Sequence, residues 1–488
     1  MKTLRLMAVA VCLVAVPTGV LAQDRVGRVI AEALKESPLR DNLRQLTDEV
    51  GGRVPGTPAM EEALKWGEAA LKAAGADSVK VERFTIAQGW AEGTTSLEIA
   101  APVRFKVRAV SAGWGPVLPA TRARVVDVGE GTKEDFARAG NIGGKIALVH
   151  TDVLKTWDDL FNEYFKAPPI IAQAVSAKAL AIAFIATREH DILYRHINTM
   201  NGRVDKVPQL IVAREDGERV ARLIAAGKAV DAEISIPNRI AGPITTGNVV
   251  AELRGSELPN EWVVLGAHLD SWELGTGALD NGCNAALVVD ALRAIKASGL
   301  QPRRSIRFIL FSGEEQGMLG SRAYVEAHRS EMDNGIAAVV FDEGIGAVTG
   351  FSVNGRKDIV APVKALIQPL EQWNATELTD DVVVGTDNLD FMFEGVPNLV
   401  ANQKEANYLV NYHATSDTFD KVDFAELKKH VAMAAAMAFA IADSPSRLAP
   451  RQTRAQIEQT LHESKGDEQL KAFGLWDEWS QGKRGRSK

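Results

Sequence analysis

EWVVLGAHLDSW, residues 261–272, is the stretch on which the fold turns. Its apolar run has the length of a buried strand, and it gives way to His268 and Asp270 where the run ends. Open α/β sheets bind their ligands beyond the carboxyl ends of the strands, so these two side chains stand where a ligand would be met. A His-x-Asp pair is common and also closes strands with no further role, so the surrounding sequence has to discriminate.

On either side, strand-like and helical runs alternate from 248 to 445. NVVAELRG, RRSIRFILFS and GIAAVVFDEG read as strands, NAALVVDALRAIKASG and EEQGMLGSRAYVEAHR as helices. This alternation predicts an α/β domain with a mixed, largely parallel sheet flanked by helices. Upstream, RVGRVIAEAL and EEALKWGEAALKAAG read as helices joined by the loop GGRVPGTP. Between about 100 and 242 the β-type runs are shorter (VRARVVDVGEG, GGKIALVH, VPQLIVA) and few groups capable of chemistry occur. The pattern predicts an inserted α+β module over 106–242, with 23–105 and 243–445 forming the main domain. Residues 446–488 are polar and charged, and are expected to pack peripherally as a helical tail.

The ends of the expected strands deliver polar groups again and again: His268 and Asp270, then Asp280 in GALDNGCN, Glu314 and Glu315 in FSGEEQG, Asp342, and His413 with Asp417 behind it in NYHATSDTFDKVD. Each has an ordinary explanation alone. Asp-Asn-Gly is a turn signal, and Ser312 with Glu315 fits a helix capping box. Together they form a mixed nitrogen and oxygen donor set of the kind that holds divalent zinc, in which one carboxylate can bridge two ions. Adjacent glutamates at a strand-to-helix turn point in different directions, so one can bind metal while the other accepts a proton from water. Asp270 is a candidate acceptor for a ring N–H of His268, and Asp417 for a supporting place of the same kind.

Composition narrows the classes further. The formal charge is −7, and only the terminal KRGRSK is basic, which leaves no footprint for nucleic acid. The opening MKTLRLMAVAVCLVAVPTGVLAQ has the build of a secretory leader with cleavage after Ala22, and no later stretch approaches the ~20 apolar residues of a membrane span. The expectation is a soluble, exported protein, periplasmic or secreted. Cys12 leaves with the leader, so Cys283 has no partner for an internal disulfide.

These strings resemble the M28 zinc peptidases, most closely the carboxypeptidase Q (plasma glutamate carboxypeptidase) group. The likeness is densest in NVVAELRGSELPNEWVVLGAHLDSWELGTGALDNG, FSGEEQG, GTDNLDFMFEGVPNL and YHATSDTFDKVD, while GGKIALV and VPQLIVAREDGERVARL resemble a protease-associated domain. The resemblance implies two zinc ions, with Asp280 bridging, His268 and Asp342 completing one site, Glu315 and His413 the other, and Glu314 as general base. It also implies hydrolysis of dipeptides or small peptides and a homodimer. An aminopeptidase built on the same constellation is the alternative, and a non-catalytic binding protein a more distant one. The chain departs from many relatives in carrying Asn281 after Asp280, and Cys283 and Asn284 where small residues are usual. Glu343, directly after Asp342, leaves two carboxylates competing for one ligand position.

Overall fold

The computed structural model describes residues 18–487. The leader expected over 1–22 lies mostly outside them. Among the described residues no helix is long and apolar enough to cross a membrane.

Eight strands build the main sheet. In spatial order they are Ser78–Ile86, Ile244–Leu253, Arg304–Phe311, Leu258–His268, Gly335–Val340, Asn398–Gln403, Val348–Ser352 and Glu377–Thr379. The centre is parallel, with Val263 opposite Ile306 on one side and Ala337 on the other. The strands next to this centre pair antiparallel, while the edge strand Glu377–Thr379 runs parallel to Val348–Ser352, so the sheet is mixed as expected. Alternation along Leu258–His268 supplies both faces. Val263, Leu265 and Ala267 pack with the helices Thr18–Ala33, Cys283–Ala297 and Phe424–Asp443, while Trp262 and Val264 pack with Tyr324, Val325 and Phe391. Asp423 caps the helix Phe424–Asp443 by accepting from Ala425 and Glu426, and the alanine-rich stretch that follows is buried almost throughout.

The chain leaves the main sheet after Ile86 and re-enters it at Ile244, residues that face each other across an antiparallel ladder. Between them lies a second eight-stranded sheet, whose strands Leu118–Asp127, Ile146–Val149, Ala181–Ile185 and Gln209–Val212 run parallel. This sheet takes in Ser96–Ala101 through pairing with Asp231–Ile236, earlier than the expected start at 106. Nothing local to SLEIAA says which sheet it joins. The residues after 446 are helical, yet not merely peripheral. Trp479 is fully buried against Phe393, and Arg484 forms a buried ion pair with Asp390.

Candidate metal centre

Three of the five candidate ligands sit at or just past a strand, Asp280 leads into a helix, and His413 follows the short helix Tyr408–Asn411. His268 ends the strand Leu258–His268, Glu314 and Glu315 follow Arg304–Phe311, and Asp342 follows Gly335–Val340. Asp280 lies on the stretch Ala278–Gly282 leading into the helix Cys283–Ala297. The helix expected from Glu314 onward begins only at Leu319. Gly313 and Gly317 hold the intervening turn with positive φ, and a Cβ on Gly317 would strike the Met200 carbonyl. Ser312 spends its hydroxyl on the Gly247 carbonyl at 2.5 Å, so no capping box forms.

The structure brings the five candidates together. His268 Nε2 lies 3.1 Å from Asp280 Oδ1 and 2.9 Å from Asp342 Oδ1. His413 Nε2 lies 3.2 Å from Asp280 Oδ2 and 2.8 Å from Glu315 Oε2. Asp280 therefore turns one oxygen to each imidazole. Asp342 faces the cluster while Glu343 turns aside, its carboxylate accepting from the Gln403 backbone N–H at 3.1 Å. Cys283 is wholly buried, with its sulfur against the carbonyls of Leu279 and Gly344, and burial pushes its thiol far up.

The hydrogen bonds around the rings place a proton on Nδ1 of each. His268 Nδ1 donates to the Asp270 carbonyl at 3.0 Å, and His413 Nδ1 to the Arg195 carbonyl at 2.9 Å. A neutral ring then directs its Nε2 lone pair at carboxylate oxygens. Asp280 Oδ2, Asp342 Oδ1 and Glu315 Oε1 are buried without any hydrogen-bond donor. Lone pairs facing lone pairs in a dry site are costly unless positive charge lies between them. In the protein alone that charge comes from the rings. Burial pulls the His413 imidazole down, but Glu315 and Asp280 outweigh it and hold it at about 9, and His268 is likewise held well above its usual range by Asp342 and Asp280. The donor set fits divalent cations that would take the place of those protons.

Burial also raises Glu315 to about 7 and Glu314 well above the usual carboxylate range, the latter reinforced by Asp342 and Glu315. Glu314 lines a cleft of about 850 Å³ together with His268, Asp280, Asp342 and His413. Asp270 accepts from the backbone N–H groups of Glu314 and Glu315, at 3.3 and 3.4 Å, and its carboxylate stands 3.6 Å from the His268 ring. The close acceptor for that ring is thus the Asp270 main chain and not its side chain. Asp417 accepts from the N–H groups of Ala278, Leu279 and Asp280.

Several contributors were not legible beforehand. Arg53, from the GGRVPGTP loop, is wholly buried and donates to the carbonyls of Leu269, Thr276 and Gly277, bracing the loops that carry Asp270 and Asp280. Trp157, Phe161 and Phe165 of the helix Trp157–Ser176 and Gln469 of the tail line the cleft. Asp387 lies close enough for the Asp342 and Asp270 carboxylates to act on it, and is pushed up to about 8, first by burial. Its GTDN string was visible, but nothing local marks that aspartate as buried beside the ligands.

Residues 248–438, which contain all five candidate ligands and Glu314, match peptidase family M28. They are an M28 peptidase domain. The chain is also 28% identical to carboxypeptidase Q of Rattus norvegicus over 84% of its length and 86% of the relative's. It is 27% identical to leucine aminopeptidase 2 of Trichophyton equinum over 66% of its own length and 63% of the relative's. Among solved structures, the M28 peptidase precursor of Shewanella amazonensis superposes with a TM-score of 0.81 at 26% identity, over 89% of this chain and 100% of that one. The M28 domain thus accounts for the main sheet from Asn248 onward, and the second sheet lies upstream of it.

Proposed function

We propose that the chain is an exported exopeptidase that hydrolyses dipeptides or short peptides at a paired zinc site. The observation that carries this reading is Asp280, whose two oxygens each face the free nitrogen of a different imidazole, with Asp342 and Glu315 beside them. His268, Asp342 and Asp280 would hold one ion, and His413, Glu315 and Asp280 the other, a mixed donor set suited to zinc. When bound, the ions supply Lewis acidity toward a carbonyl oxygen and toward water, and their charge favours the ionised form of Glu314. Glu314 takes a proton from the attacking water on a carboxylate oxygen and returns it to the leaving amine nitrogen. Asp270 keeps this base in place by holding the backbone of residues 314 and 315. Trp157 and Phe161 give the cleft an apolar wall against which a short peptide packs.

The likeness to carboxypeptidase Q supports attack at the carboxyl end of the substrate. The cleft itself supports the amino end. Beyond the ligand cluster its described lining includes Asp158, Glu343 and Asp381 and neither lysine nor arginine, so no cation there would meet a free carboxylate. Hydrolysis of one dipeptide in free, N-acetylated and C-amidated forms separates the two. An amino-end enzyme spares the acetylated form and cleaves the amide, and a carboxyl-end enzyme does the reverse. In the same assay Glu314→Gln is expected to retain zinc but lose at least about 10²-fold in kcat, whereas Asp280→Ala loses both zinc and activity. Undiminished hydrolysis by Glu314→Gln would overturn the assigned base.

A further inference from the structure

The two candidate histidines are held from different parts of the chain. The His268 ring is fixed by the carbonyl of Asp270, two residues away on its own loop. The His413 ring is fixed by the carbonyl of Arg195, which belongs to the segment bearing the second sheet. We propose that Arg195 is a positioning residue for His413, so that this segment forms a working part of one metal site and not only a wall of the cleft. The inference rests on the paired-zinc reading and adds to it which ion depends on the segment.

The two stretches are zipped together. Arg195 N–H donates to the His413 carbonyl at 2.9 Å, Thr415 N–H to the Leu193 carbonyl at 2.9 Å, and Tyr194 bridges Ala414 in antiparallel fashion. His413 has φ of +57°, a left-handed conformation that a non-glycine residue keeps only where its surroundings enforce it. The reciprocal bonds with Arg195 provide that enforcement on both its carbonyl and its ring.

Arg195 is in turn anchored. Its guanidinium is fully buried and pairs with Glu92 at 2.6 Å and Glu273 at 2.5 Å, donates to the Ser111 carbonyl, and lies over the Trp90 ring. Glu273 stands on the loop just past His268 and Asp270, so the clamp runs from the main domain through Arg195 to His413. Loosening the clamp frees the Arg195 carbonyl, and with it the direction of the His413 ring. The His268 ring, held within its own loop, is not on that path.

The test is a titration of metal-free protein with zinc against a chromogenic chelator, for wild type, Arg195→Gln, Glu273→Gln and Arg195→Lys. Wild type is expected to bind two ions. Arg195→Gln and Glu273→Gln weaken one of the two by about 10- to 100-fold, the usual cost of removing a ligand's support, and leave the other within about 3-fold. Arg195→Lys recovers most of the loss. In a His413→Ala background, where only the His268 site remains, Arg195→Gln has no effect. The proposal is overturned if both affinities stay unchanged, or fall in parallel, in variants whose thermal unfolding matches wild type. If Arg195→Gln fails to fold, Glu273→Gln, which keeps the shape of a half-exposed side chain, makes the same comparison. Wild type that binds fewer than two ions overturns the paired-zinc reading itself, a result distinct from two intact sites indifferent to the clamp.

Discussion

Asp417 has no oxygen in contact with either imidazole, yet it carries the loop on which Asp280 depends. Its two oxygens accept from three consecutive backbone N–H groups, at 3.0, 2.7 and 3.2 Å, and the last of these belongs to Asp280 itself. Removing the carboxylate leaves three buried donors unpaired, and each such orphan costs about 1–3 kcal/mol unless water reaches it. Asp417→Ala is therefore expected to lower unfolding free energy by at least about 1 kcal/mol and to weaken zinc retention, read by urea denaturation and by metal analysis of the purified variant. A variant that matches wild type in both would show that the loop holds its shape without Asp417. The contrast with Arg195 shows what the sequence could and could not reveal. Carboxylates and imidazoles are visible as letters, and their recurrence at the ends of the expected strands points to His268, Asp280, Glu315, Asp342 and His413. The groups that orient the two rings are main-chain carbonyls, which every residue possesses, so neither Asp270 in that role nor Arg195 could be singled out.

The helix Trp157–Ser176 shows the same limit for a whole element. Its start is written in the sequence, since Thr156 and Asp159 form a reciprocal capping box. One face is also legible as core, because Leu160, Tyr164, Ala167, Ile170 and Ala174 recur at helical spacing and are buried. The apolar residues off that stripe, Trp157, Phe161 and Phe165, have no explanation from periodicity. They line the cleft beside the candidate ligands, where Phe161 remains 39% exposed. An exposed phenylalanine facing a binding cleft gives its contact equally to bound substrate and to the transition state. Phe161→Ser is expected to raise KM about 10-fold with kcat within about 3-fold and stability unchanged, as measured by steady-state kinetics on a peptide substrate. A fall in kcat with KM constant would mean that the helix acts on the chemistry and not on binding. The strand Ser96–Ala101 makes the complementary point: the expected boundary at 106 leaves it with the main domain, but its membership of the second sheet is set by pairing with Asp231–Ile236, more than a hundred residues away.

Across the whole molecule, the most extensive apolar core among the described residues lies where the long helix Phe424–Asp443 packs against the main sheet, and a titratable group is buried there. His430 lies in that helix, donates from Nε2 to the Gly346 carbonyl at 2.8 Å, and leaves Nδ1 without a partner. Burial lowers its pKa to about 4, and Glu426, 3.9 Å from Nε2, offsets only part of that effect. The ordinary value is about 6.5. The folded chain therefore refuses a proton that the unfolded chain accepts as pH falls between these two values. The stabilising contribution is complete above about 6.5 and drains away as pH drops to about 4, amounting to as much as about 3 kcal/mol over that window. His430→Gln keeps an N–H that can reach the Gly346 carbonyl and cannot titrate in this range. Urea unfolding of wild type and variant at intervals from pH 7 to pH 4 should give curves that converge as the pH falls, because wild type loses this increment and the variant has none to lose. Parallel curves across the window would place the acid sensitivity of the fold elsewhere, in the carboxylates whose pKa values are held low by ion pairs on the surface.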